Sequence, residues 1–485
     1  MQGSRSRGRS TVSSGILTGI STAAVSGSAA VAGIILSRKF GHGVKTDGFF
    51  AAYGVYLALV LVANALRVVV LPRFALARAD GRLRGEVGTW AAALALPLAP
   101  AVLVALLWPH GVAAALAGNA HARHQAAELL PWLVPAAAVQ IYAGVLASVL
   151  AAFDDYGTAA LGFGLGAVAG LGAIGALVGH GVVAFGWGLA VNAALACGVP
   201  LVAVARRRAL GGPDASVLVR LHELLDGVAL PLALQGFFVV GVRFATGLGA
   251  GRATTFSYAY LIAAFLVAIT ATSIALVTTV PFAREGSSPE RVARHVVAVS
   301  WLSLALVAAA AGVFALAGET VARRILGSSY GGSTGAELGR LVVYLAPWMV
   351  VSVAVTVAFP LVFVRGRARW LPALAAAALG AHVLVEWGGR AAFGLAGIAG
   401  GLAVTTAAVL VALLASLDAL RRSLAGLAVA ALVCGAVAAA AFAVPRSVLG
   451  AVAAAAVGLA LYVVALGLWR PAGLRHAWAY VRALQ

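Results

Sequence analysis

Three groups of residues have types and spacings that could do chemistry. His382 and Glu386 stand four apart, on one face of any helix that carries them. A carboxyl beside an imidazole can take up and release a proton, or hold a small cation such as sodium. The plainer reading is a local His–Glu pair, or a contact between Glu386 and Arg390. Arg67 and Arg243 each interrupt a long apolar run, where a guanidinium could grip anionic headgroup oxygens. Each also lies near enough to the end of its run to reach water along its own stem. Asn64, three residues before Arg67, shares its helical face, and Gln235 is a neutral polar group deep in another run, able to bind a headgroup or to bridge helices. The third group, Arg38, Lys39, Lys45 and Asp47, surrounds a Gly41-x-Gly43 turn. These four could form a gate at one end of the structure, while Thr46 or Asp47 could equally cap the helix that follows.

Other chemistries find no footing. Cys197 and Cys434 both lie within apolar stretches, so neither a disulfide framework nor a CxxC metal site is available. Neither lysine has the Gly-Lys-Ser/Thr context of a phosphate-binding loop. Asp154-Asp155 occupies a very short turn where solvation suffices, and Gln140, His180 and Asn192 are isolated and receive no role. No catalytic constellation emerges, so the expectation is a non-enzyme with no cofactor beyond a coupling Na⁺ or H⁺.

The elements that must position these groups follow from composition. Of 485 residues 62% are hydrophobic and only 10% charged, with a mean hydropathy of +1.02, far beyond the ~25% charge of soluble domains. A spanning helix needs ~20 apolar residues, and fourteen segments qualify: roughly 13–36, 48–71, 89–108, 129–152, 157–178, 183–205, 227–247, 255–280, 296–317, 341–363, 370–387, 393–416, 425–444 and 448–468. The expected fold is an all-α integral membrane protein with about fourteen transmembrane helices. The arginine cluster before the first segment also suits a signal peptide, but the run is long for one, and 13–36 reads as a retained first helix. Of the 34 basic residues, 22 fall in one alternating set of loops and termini and 10 in the other, which places both termini in the cytoplasm. The net charge of +19 is thereby explained without nucleic acid. Near-exclusive use of arginine over lysine, with abundant Ala, Val and Gly, suits a GC-rich bacterial genome and hence a bacterial inner (plasma) membrane.

Two stretches repeat. Residues 40–53 and 248–260 both read apolar-Gly-x-Gly, a base, then Phe-x-x-Ala-Tyr, and each precedes an apolar helix ending at Pro72 or Pro281. Six helices separate the copies, so both halves enter the membrane in the same direction, as parallel repeats of two six-helix lobes would. The division expected is an N-terminal lobe over 1–205, a cytoplasmic linker with an interfacial helix over 206–226, and a C-terminal lobe over 227–417. Two further helices and a basic tail, which should lie on the anionic inner leaflet, occupy 418–485. Gly211-Gly212-Pro213 breaks the linker and suits a hinge.

The run from Ser37 to Ala52, Ser-Arg-Lys-Phe-Gly-His-Gly-Val-Lys-Thr-Asp-Gly-Phe-Phe-Ala-Ala, resembles the first-loop signature of the MurJ-type (MviN-like) lipid II flippases. These belong to the superfamily of multidrug, oligosaccharidyl-lipid and polysaccharide exporters (MOP). The resemblance implies a polyprenyl-pyrophosphate-linked glycan carried from the inner to the outer leaflet by alternating access, with the last two helices helping to form a groove for the lipid tail. Membrane lipids, and envelope glycosyltransferases or polymerases, would be its partners. It further implies roles for Arg38 and Asp47, which match the motif, at the outer gate, and an ion site in the second lobe that involves the eleventh helix. The match departs where such flippases carry arginines in the first and eighth helices: here 13–36 and 255–280 hold no charge. The superfamily is implied; lipid II itself is not. The alternatives are a cation-coupled multidrug (MATE-like) exporter, a membrane glycosyltransferase or ligase, and a membrane scaffold.

Overall fold

The computed structural model describes residues 3–268 and 288–482, and every regular element among them is helical. Lipid offers no partner to an exposed peptide group, so a chain this apolar must satisfy its backbone within each segment. Thirteen of the described helices are long and apolar enough to span a membrane, and Arg252–Val267 is a shorter apolar one. The fourteenth expected span is the eighth, 255–280: its start is Arg252–Val267, while 269–280 and Pro281 lie outside the described residues.

The chain divides into two compact units, Met1–Gly251 and Arg252–Gln485. The first contains α1 (Gly3–Phe40), α2 (Val44–Ala79), α3 (Leu83–Leu107), α4 (Pro109–Leu116), α5 (Ala120–Ala152), α6 (Tyr156–Leu177), α7 (Val183–Arg206) and α8 (Val217–Ala245). Apolar surface gains little by leaving lipid, so these helices are held by close approach of small residues. On α5, Gly144 faces α2, where an added methyl would lie 3.2 Å from Ala63 Cβ; on α6, one at Gly166 would lie 2.6 Å from the Asn192 carbonyl oxygen of α7. Pro72, Pro131, Pro135, Pro200 and Pro231 all sit inside helices, as neighbouring helices in a membrane bundle permit.

The linker is strapped down rather than loose. The Thr89 hydroxyl of α3 accepts hydrogen bonds from the Asp214 and Ala215 amides at 3.2 and 3.3 Å. Gly88 leaves room for the Gly211–Gly212 backbone, which a side chain there would strike. Arg220 donates to Glu86 at 3.1 Å and to Glu223 at 3.0 Å, and Arg73 reaches the same Glu223 at 2.8 Å. Residues 217–226, expected as an interfacial helix of the linker, form the opening turns of α8. Leu-Leu-Asp-Gly-Val contains no strong breaker, and the helix runs through it.

The second unit contains α9 (Arg252–Val267), α10 (Pro289–Leu326), α11 (Ser333–Tyr344), α12 (Ala346–Val364), α13 (Leu371–Phe393), α14 (Leu395–Ser416), α15 (Leu420–Ala441), α16 (Ala451–Trp469) and α17 (Ala472–Arg482). The two helices assigned to no lobe, α15 and α16, pack on α10. The Phe442 ring fills the space left by Gly312 and Gly458, and the Tyr462 hydroxyl donates to the Ala305 carbonyl at 2.9 Å. The basic tail forms α17 and docks there too. Ala477 is fully buried, Gly473 lies against the Trp301 indole, and Tyr480 meets His295 at 3.1 Å.

Candidate functional site

In the first unit, α1, α2, α5 and α6 enclose a cavity of about 440 Å³. Ser21, Thr22 and Ser26 line it from α1, Arg67 from α2, Gln140 and Gly144 from α5, and Tyr156 and Phe163 from α6. The helix sequences explain the opening: Ser, Gly and Ala dominate the facing positions, so the backbones approach without side chains to fill the centre. Ser21 anchors the wall, donating to the Ala160 carbonyl at 2.6 Å. Two groups in the lining stand out. Arg67 is exposed to the cavity and makes no hydrogen bond or ion pair among the described residues. Gln140 is only 7% exposed and likewise has no hydrogen-bond partner among them. A buried amide normally finds a partner, because leaving it bare costs about 1–3 kcal/mol. Among the described residues, the cavity therefore presents one fixed cation, one amide and several hydroxyls to whatever enters.

The expected headgroup set is only partly gathered here. Arg67 is in the cavity; the side chain of Asn64 lies outside the described residues. Arg243 and Gln235 do not line it. The Arg243 guanidinium lies beside Gly118, at the turn before α5, where the Thr246 hydroxyl also accepts the Gly118 amide at 2.7 Å. Gln235 is buried in α8 with partners of its own. Gln140, given no role from sequence, is the addition. Its signal was present: with Tyr142 and Ser148, it is one of three polar side chains in the last twenty residues of α5. Its proximity to Arg67 depends on a pairing of α5 with α2 that periodicity does not reveal.

At the Gly41-x-Gly43 turn, Arg38, Lys39 and Lys45 are exposed and Asp47 is buried. The Thr46 hydroxyl caps α2, accepting the Gly43 amide at 3.1 Å. Asp47 reaches 204 residues along the chain to accept the Gly251 amide at 2.7 Å. The two repeated glycine motifs thus touch through this bond. Gly251, at φ +81°, packs so tightly on the His42 ring that no side chain fits.

In the second unit, His382 and Glu386 of α13 meet, both fully buried, with Nε2 3.4 Å from Oε1. Across from them on α14, Thr405 donates to the Gly401 carbonyl at 2.7 Å, which leaves its oxygen to accept from His382 Nδ1 at 2.8 Å. With Nδ1 committed as a donor, a neutral imidazole turns its Nε2 lone pair towards Glu386. That arrangement suits a proton shared between Nε2 and the carboxyl, or a cation taken up by the carboxylate when the proton leaves. Neither Glu386 oxygen has a hydrogen-bond partner among the described residues. Gly401 makes the space: a methyl there would lie 2.8 Å from Oε1. No cluster of three or more His, Cys, Asp or Glu suited to a metal occurs among the described residues.

No protein-family model matches the chain, and no curated protein sequence does. Solved structures do resemble it. One is the lipid II flippase MurJ in an inward closed conformation, at 12% identity and a TM-score of 0.73, covering 94% of this chain and 99% of that one. A second is the inward-facing conformation of a multidrug resistance MATE family transporter, at 14% identity and a TM-score of 0.64, covering 82% and 95%. A third is a MOP superfamily transporter from Pyrococcus furiosus, described as having a binding pocket of reverse polarity, at 14% identity and a TM-score of 0.53, covering 88% and 96%. With helices that could span a membrane at least thirteen times among its described residues, the chain is a multi-pass membrane protein that shares its fold with these transporters.

Proposed function

We propose that this protein is a flippase that moves a polyprenyl-linked glycan across a bacterial inner membrane by alternating access, with both termini cytoplasmic and without catalytic chemistry of its own. The observation that carries the reading is the polar cavity in which Arg67 and Gln140 stand without hydrogen-bond partners among the described residues. A guanidinium gives a phosphate oxygen pair a planar fork, and the hydroxyl and amide donors suit a sugar. Arg67 lies near the end of the α2 span that the arginine distribution assigns to the cytoplasm, the side on which such a cargo would be loaded. The fold is shared with a lipid II flippase, which agrees with the resemblance of residues 37–52. The same fold serves multidrug transporters, but the Arg67 cation in the cavity repels the cationic amphiphiles that such an exporter would carry.

Coupling falls to Glu386 and His382, which bind H⁺ or Na⁺ and bias the resting state. The bond from Gly251 to Asp47 serves as part of the outer gate, with Arg38, Lys39 and Lys45 at its rim. Arg243 braces the turn at Gly118 rather than holding cargo. Envelope glycosyltransferases or polymerases supply and consume the cargo. The test is purified protein in liposomes loaded with a fluorescent polyprenyl-linked glycan, scored by access of an external quencher. Arg67→Ala should abolish transfer while the protein keeps its melting temperature. Transfer of a lipophilic cation with none of the glycan would overturn the proposal.

A further inference from the structure

Resting on that flippase reading, the charge of the cavity narrows the cargo. We infer that the glycan is joined to its polyprenyl chain through a single phosphate, a phosphodiester of one negative charge, rather than through a diphosphate. Among the described residues, Arg67 is the one charged side chain that lines the cavity; the other polar lining among them is Ser21, Thr22, Ser26, Gln140 and Tyr156. Elsewhere in the expected spans the sequence offers one further base, Arg243, and that guanidinium lies against Gly118 with partners of its own. A diphosphate diester brings two ionised groups. One guanidinium would neutralise half of that charge and leave the rest in a low-dielectric wall, where an uncompensated ion is heavily penalised.

A phosphodiester matches on both counts. Its two non-bridging oxygens accept the two parallel N–H donors of Arg67, and the charges cancel. The carboxamide of Gln140, nine-tenths buried and without a partner among the described residues, is then left for a sugar hydroxyl, to which it can both donate and accept. The Ser26 and Tyr156 side chains, both exposed to the cavity, extend that neutral surface. The cargo this lining fits is thus a polyprenyl monophosphoryl sugar, the product of a glycosyl transfer onto a polyprenyl phosphate.

The experiment compares two cargoes of identical chain length and sugar, one with a monophosphate link and one with a diphosphate link, in liposomes containing the full-length protein. The monophosphate should cross, and the diphosphate should be slower by roughly a hundredfold, the effect of one buried unpaired charge. Ser26→Arg, which adds a second cation to an exposed position in the same wall, should reverse the preference. Equal or faster transfer of the diphosphate by the unaltered protein overturns the inference, as does Ser26→Arg folding normally and leaving the ratio unchanged. If neither cargo crosses and a lipophilic cation does, the flippase reading falls and takes this inference with it.

Discussion

The cavity around Arg67 and the pair around Glu386 solve opposite problems with the same kind of helix. Around Arg67 the helices stand apart, the charge faces open space, and polar lining awaits a visitor. Around Glu386 the helices close completely, and both ionisable side chains are shut away from solvent. A charged group in an apolar bundle must be hydrated, paired or neutralised. The first site keeps its charge by keeping a cavity, and the second, in the coupling role proposed above, meets the same demand with a proton or a small ion. The difference teaches that glycine placement decides which outcome a polar residue gets. Gly144 lets α5 approach α2 beside an opening, whereas Gly401 makes room for the Glu386 carboxylate.

If the two sites do separate jobs, substitutions should separate them. The largest effect belongs to Glu386→Gln, which removes the titratable and cation-binding carboxylate while preserving shape. Transfer should lose all dependence on an imposed proton or sodium gradient, measured in liposomes, while affinity for the cargo persists. A retained gradient response would sink the coupling role. Arg67→Gln should do the converse. Losing a charge-assisted hydrogen bond worth ~1.5–3 kcal/mol weakens cargo binding by about 10- to 150-fold, with the gradient response intact. If both variants lose both properties, the distinction between the two sites collapses.

Stability offers a further separation. Replacing both His382 and Glu386 by leucine should leave the melting temperature unchanged or raised, because a buried pair exchanged for apolar packing is often neutral or stabilising by ~1–4 kcal/mol. A marked fall would show that the pair is structural. Asp47→Ala should instead destabilise by ~1–3 kcal/mol, since it strips the buried Gly251 amide of its acceptor. It should slow transfer as a gate residue would, without altering cargo preference or ion dependence, which separates the gate from both sites.

Much of this was legible in the chain. Apolar runs gave the helices because lipid leaves the backbone no alternative, and the four-residue spacing of His382 and Glu386 put them on one face. Arg67 was conspicuous for interrupting an apolar run. Pairings between distant helices were not legible. Nothing local to Gln140 says that α5 will lie beside Arg67, and nothing local to Asp47 says that its partner is an amide 204 residues away. Thr405 was passed over because a threonine inside a membrane helix usually bonds its own preceding turn. It does so here as well, and its second role appears only once His382 faces it. Arg243 shows the reverse: alone in an apolar run it reads like Arg67, yet the turn at Gly118 gives it a neighbour.

The smallest effect probes the group that the sequence passed over. Gln140→Leu keeps the volume of the side chain and removes its amide. With no described residue bonded to that amide, the substitution leaves no donor or acceptor stranded, so the melting temperature should hold or rise slightly. Cargo binding should weaken by about 2- to 12-fold, the loss of one neutral hydrogen bond of ~0.5–1.5 kcal/mol. The loss should depend on the sugar: a cargo lacking the hydroxyl that meets Gln140 would bind the variant and the unaltered protein alike. Arg67→Gln, by contrast, should weaken binding of every phosphate-linked cargo by the same factor. A Gln140→Leu protein that discriminates among sugars as before would reduce Gln140 to a wall residue and leave Arg67 as the sole recognising group in the cavity.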